Sequence, residues 1–178
     1  MMGLAVARRH SVFLLLAMAL LLAACSSSDD EPRLVCPRPA IIDELSSLER
    51  YTPGAAEAPE HLVYRAALQN ISGNCRAEDS DLLINVAVET QVEPGLAFSG
   101  STVELPYFVA VTAPGGEVLD RQDFLARIPV SPGAREAGSR ESFSQRFRGI
   151  GPYGVPGYQI LFGFALPREE ALRRAPAG

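Results

Sequence analysis

The chain has 178 residues, is 47% hydrophobic and sets 16 basic residues against 21 acidic ones, a balance that makes nucleic acid a poor partner. All 16 basic residues are arginine, which removes Schiff-base lysines, phosphate-loop lysines and Ser-x-x-Lys pairs at once.

The first element is N-terminal. Arg8 and Arg9 precede an apolar run from Val12 to Leu22, and Leu22-Ala23-Ala24 puts small residues directly before Cys25. In such a segment the positive flank stays cytoplasmic, the apolar run enters the membrane, and the small residues fit a peptidase that cuts ahead of the cysteine. Residues 1–24 therefore read as a lipoprotein signal peptide, with Cys25 as the lipidated residue and the membrane as its first partner. The run is too short for a permanent transmembrane helix, which needs about 20 apolar residues. Arg8-Arg9-His10-Ser11-Val12-Phe13 only partly resembles a twin-arginine signal, so both export routes stay open. Bacterial lipoproteins kept at the inner membrane often carry Asp after the cysteine; Ser26 stands there instead and points to the outer membrane, facing the periplasm. Several acyl chains on one cysteine hold firmly where a single chain is marginal.

Cleavage before Cys25 leaves 154 residues, with 14 arginines against 21 acids for a net charge of −7, a size that suits one domain with its own core. Residues 25–35 include Ser26-Ser27-Ser28-Asp29-Asp30-Glu31-Pro32, polar and acidic throughout, and read as a flexible tether ahead of a single domain over 36–178. With Cys25 lipidated, Cys36 and Cys75 remain, and outside the cytoplasm they are expected to form a disulfide. A metal-binding or reactive thiol pair would call for Cys-x-x-Cys spacing and nearby histidines, which this chain lacks.

Ile41, Ile42, Leu45 and Leu48 have helix-like spacing, although the same residues also fit a strand and a turn. After the Pro/Gly/Ala-rich loop from Thr52 to Pro59 the period becomes two. Leu62, Tyr64, Ala66 and Leu68 mark a strand expected to end at Asn70-Ile71-Ser72-Gly73-Asn74. Leu82, Ile84, Val86, Val88 and Thr90 mark a second, stopped by Glu93-Pro94-Gly95. Val103–Val111 is a third, turned at Gly115-Gly116 into a partner that continues through Phe124, Ala126, Ile128 and Val130. In the next strand Glu141, Phe143, Gln145 and Phe147 face away from Arg140, Ser142, Ser144, Arg146 and Arg148, and the last runs from Tyr158 to Leu166. Pro167 to Arg174 opens on proline, fills its first turn with acids and its last with arginines, which suits a short helix. The fold class is all-β: an antiparallel, immunoglobulin-like β-sandwich with a short C-terminal helix, a barrel being the alternative.

Cys36-Pro37, Val63-Tyr64-Arg65-Ala66, Asn74-Cys75, Leu105-Pro106-Tyr107-Phe108-Val109-Ala110-Val111 and Tyr158-Gln159-Ile160-Leu161-Phe162-Gly163-Phe164 resemble a family of alphaproteobacterial exported lipoproteins of unknown function. The likeness spans most of the chain after Cys25, except 135–157 and the tail. It implies a shared β domain and no known activity.

No catalytic signature stands out. His61 is the one histidine after the signal peptide, and the chain has no Gly-x-Ser-x-Gly elbow to partner it. Glu78-Asp79-Ser80-Asp81 groups three acids but lacks the glycine and distant glutamate of a calcium loop, so a solvated turn is the expectation and no metal or cofactor is assigned. Asn70-Ile71-Ser72 matches a glycosylation acceptor without meaning in a bacterial lipoprotein. Two features suit binding. Arg140, Arg146 and Arg148, with Arg135 nearby, present planar donors for carboxylate or phosphate, or simply guard a sheet edge. Gly151-Pro152-Tyr153-Gly154-Val155-Pro156-Gly157-Tyr158 offers Tyr153 and Tyr158 on stiff turns, or is an ordinary connection. The functional expectation is a non-enzymatic interaction or accessory module in the cell envelope with an envelope protein as partner. The alternative is a small-ligand-binding protein or an inhibitor of an envelope hydrolase.

Overall fold

The computed structural model describes residues 34–149 and 156–174. Among these residues eight strands, β1 (Arg38–Ile41), β2 (Ser47–Tyr51), β3 (Leu62–Glu78), β4 (Asp81–Pro94), β5 (Thr102–Thr112), β6 (Val118–Pro129), β7 (Ala137–Phe147) and β8 (Gln159–Phe164), precede one α-helix, α1 (Arg168–Arg174). They form two four-stranded sheets, ordered β1-β8-β5-β6 and β2-β3-β4-β7, so the protein is mostly β and sandwich-like.

Alternation builds the interior. On β4, Leu82, Ile84, Val86, Val88, Thr90 and Val92 are buried while the residues between them are not, because successive strand side chains point to opposite faces. Their counterparts on the other sheet include Leu105, Ile128, Ile160 and Phe162, all at most 1% exposed. An aromatic series joins the two layers: Tyr107 stacks on Phe124 at 5.2 Å, Phe124 meets Phe143 edge-on at 6.1 Å, and Phe143 meets Phe162 at 6.5 Å.

One alternative left open by the sequence is decided, and two details depart from the expectations. The segment with helix-like spacing is β1, a 3₁₀ turn at Asp43–Leu45 and β2, since its apolar residues serve two different strands. β3 does not end at Asn70. Asn70 takes φ 51°, a left-handed conformation asparagine tolerates, and the register shifts between Gln69 and Ser72. The bulge absorbs the turn-forming residues, and pairing with β4 resumes as far as Glu78 opposite Asp81. The sandwich is also not wholly antiparallel: β1 runs parallel to β8, with Arg38 opposite Gln159 and Ile41 opposite Phe162. Two glycines permit close approach. A Cβ on Gly95 would lie 2.1 Å from the Leu62 carbonyl oxygen, and one on Gly163 would lie 2.9 Å from Leu45 Cβ.

Cys36, just ahead of β1, is disulfide-bonded to Cys75 on β3, which ties one sheet to the other with Cα atoms 5.9 Å apart. Leu34, within the segment read as tether, packs against the core.

Candidate functional site

The outer face of β3, β4 and β7 gathers the arginines singled out in the sequence. β7 is an edge strand whose residues alternate as expected, with Arg140, Ser142, Ser144 and Arg146 outward. Register then decides their partners. Arg140 pairs in register with Glu89 on β4, and its guanidinium donates to that carboxylate at 2.9 Å and to Ser72 Oγ at 3.2 Å. Arg146 donates to Glu78 at 2.8 Å and to Asp81 at 3.4 Å, across the β3–β4 turn. Glu78 also accepts from Arg76 at 2.7 Å. Glu78-Asp79-Ser80-Asp81 is thus an arginine-neutralised turn, and among the described residues no group of three or more metal-ligating side chains converges.

The contacts around the β3–β4 turn lower the pKa of two carboxyl groups. Hydrogen bonds from Arg76 and then Arg146 hold the Glu78 carboxyl below the usual range. The backbone N–H of Gly149, 3.1 Å from Asp81, followed by Arg146, does the same for Asp81. Exposed pairs of this kind add little stability, but they consume the guanidinium forks that an anionic ligand would need. Arg148 is exposed just past β7 and makes no ion pair among the described residues. Arg135 is also exposed there, in the loop ahead of β7. Tyr158 is half-buried with its ring edge-on to Phe147 at 6.2 Å, and its carbonyl accepts from the Arg38 N–H. Tyr153 and Cys25 lie outside the described residues.

His61 closes a 3₁₀ turn at Pro59–His61, where its carbonyl accepts the Thr52 N–H at 2.9 Å. Among the described residues its imidazole makes no hydrogen bond, so no triad is assembled around it there.

A second polar surface was not visible in the sequence. A groove of about 640 Å³ follows β2, the other edge of the same sheet, and is walled by α1. Glu170 accepts from Arg50 at 3.2 Å and from Arg174 at 2.9 Å. Arg174 also donates to the Ser47 carbonyl, and Arg50 donates to the Glu49 carbonyl at 2.9 Å. Glu49 takes the Tyr51 hydroxyl at 2.6 Å and Arg65 at 2.7 Å, and these bonds, Tyr51 first, lower its pKa. Two edge-strand carbonyls are therefore capped by guanidinium groups instead of standing open to another strand. The Glu170–Arg174 spacing was legible as helical charge patterning; its docking on β2, 127 residues upstream, was not.

No known protein family matches this chain, and no curated protein or solved structure matches it either.

Proposed function

We propose that this protein is a lipid-anchored envelope protein whose β domain acts as a non-enzymatic interaction or accessory module. The observation that carries the reading is Leu22-Ala23-Ala24-Cys25 behind Arg8, Arg9 and the Val12–Leu22 apolar run. Ser26 supports outer-membrane retention with the domain in the periplasm, and the likeness to exported alphaproteobacterial lipoproteins supports the same compartment. The disulfide between Cys36 and Cys75 is at home in that compartment, where thiols are oxidised. The edge arginines, engaged by Glu89, Glu78 and Asp81, favour protection of β7 over capture of an anion.

The immunoglobulin-like reading is kept at the level of architecture, two facing four-stranded sheets with alternating cores. A small-ligand role is the second reading, favoured by the arginine-lined groove along β2.

Crosslinking in intact cells tests the proposal. Recovery of a defined envelope protein supports the interaction module, and turnover in an activity screen overturns the non-enzymatic reading.

A further inference from the structure

Among the described residues six large apolar side chains are exposed, and three of them, Val35 ahead of the edge strand β1 and Val118 and Leu119 on the opposite edge strand β6, lie at one end of one sheet. The register shows this: Arg38, Gln159, Thr112 and Val118 form a single row across β1, β8, β5 and β6. Val35 lies three residues upstream of that row, on the same side as the Pro114-Gly115-Gly116 turn. Gly157 closes on this turn, since a Cβ there would lie 3.1 Å from Pro114. Val118 is 58% and Leu119 51% exposed, directly after the turn. Single exposed apolar residues are ordinary; a group at one end of a sheet calls for an occupant.

We propose that this end of the sandwich rests against a lipid surface made of electrically neutral, zwitterionic headgroups. The inference rests on the reading of Cys25 as lipidated. Eight residues, Ser26 to Arg33, separate Cys25 from Leu34, a reach of at most about 30 Å even when fully extended. The chain enters the domain at this end, at Leu34 and Val35. The opposite end lies farther off: Cys75 pairs with Ile84, and from Ile84 to Pro94 β4 extends about 33 Å before Leu96. The charges choose the headgroup. Arg38, Arg148, Asp79, Glu117 and Asp120 stand at this end without a positive excess, Arg76 and Arg146 are spent on Glu78 and Asp81, and Arg121 on Asp123 at 2.8 Å and on the Phe108 ring at 4.0 Å. Attraction to an anionic surface would need a basic cluster.

The test uses the full mature lipoprotein in vesicles of phosphatidylethanolamine and phosphatidylcholine, with a fluorophore on a single introduced cysteine and a quencher at headgroup depth. Gly115→Cys is the proximal site, because an added Cβ there meets nothing within 4 Å, and Leu96→Cys, 82% exposed, is the distal one. The expected result is quenching several-fold stronger at position 115 than at 96, lost when Val118→Asp and Leu119→Asp are added while lipidation persists. Equal quenching at the two sites overturns the seat, and so does undiminished quenching in the aspartate variant, which would leave the tether alone responsible for proximity. Mass measurement separates the failures: lipid on Cys25 without preferential quenching sinks only the seat, whereas Cys25 without lipid sinks the anchor and the seat together.

Discussion

Tyr107 shows how a single buried residue sets a pH limit. Its ring is 7% exposed between the sheets, and burial, helped by the Glu141 carboxylate, pushes its phenol up to about 12 from the ordinary 10.0. A raised folded-state pKa means that the stabilisation is complete below pH 10 and is lost as pH rises from 10 towards 12, because only the unfolded chain ionises freely in that window. The expected loss is of the order of 2 kcal/mol. Alkaline denaturation of Tyr107→Phe should lack this component; an unchanged alkaline limb would show that the phenol does not carry it. Thr90 makes the converse case. Its Oγ1 is buried without a hydrogen-bond partner among the described residues, so the hydroxyl costs desolvation and returns nothing. Thr90→Val should therefore raise stability by about 1 kcal/mol in urea unfolding, and a loss of that size would reveal a partner for the hydroxyl.

Elements behave according to what holds their edges. α1 has seven residues, too few to be stable alone, and is held on β2 by Glu170 against Arg50 and by Arg174 on the Ser47 carbonyl. Glu170→Ala should remove the carboxylate that Arg50 and Arg174 share, cost about 1 kcal/mol and speed hydrogen exchange at Ser47–Tyr51, with exchange at β4 unchanged; equal protection in β2 would show that α1 is not its cover. β1 has four residues and one strand neighbour, so the Cys36–Cys75 bond matters more to it than to any other strand. Reduction should lower the thermal midpoint by the equivalent of roughly 4 kcal/mol, with exchange rising first in β1, and two titratable thiols in the unreduced, unfolded domain lacking Cys25 would contradict the bond. The contrast between elements explains what could be read in advance. β4 and β7 alternate along their length, so period two is legible in Leu82–Thr90 and Glu141–Phe147, whereas β5 alternates only as far as Tyr107 and is buried on both faces from there to Thr112, which leaves a continuous apolar run. β3 was read short because Asn70 and Gly73 are turn formers locally, and only pairing with β4 keeps them in a strand. The ion pairs of Arg140 and Arg146 depend on register across three strands, and α1's seat on β2 on contacts spanning more than a hundred residues, neither of which local pattern encodes.

In the whole molecule, the disulfide and the exposed apolar residues Val35, Val118 and Leu119 stand at the end where the chain enters the domain at Leu34. A lipid on Cys25 would bring the chain into the domain beside Val35, the disulfide would pass any pull on that segment to β3 in the other sheet, and the groove along β2 would lie towards the far end. Such an arrangement suits a protein held at a membrane and offering its distal surface to a partner. The measurement that tests this most directly is the intact mass and N-terminal sequence of the mature protein recovered from cell membranes. The expected result is a chain that begins at Cys25 and carries covalent acyl chains, with Cys25→Ser leaving the protein unlipidated and no longer held by lipid. A mature chain that begins elsewhere, or a Cys25 free of lipid in membranes of the native host, would contradict it.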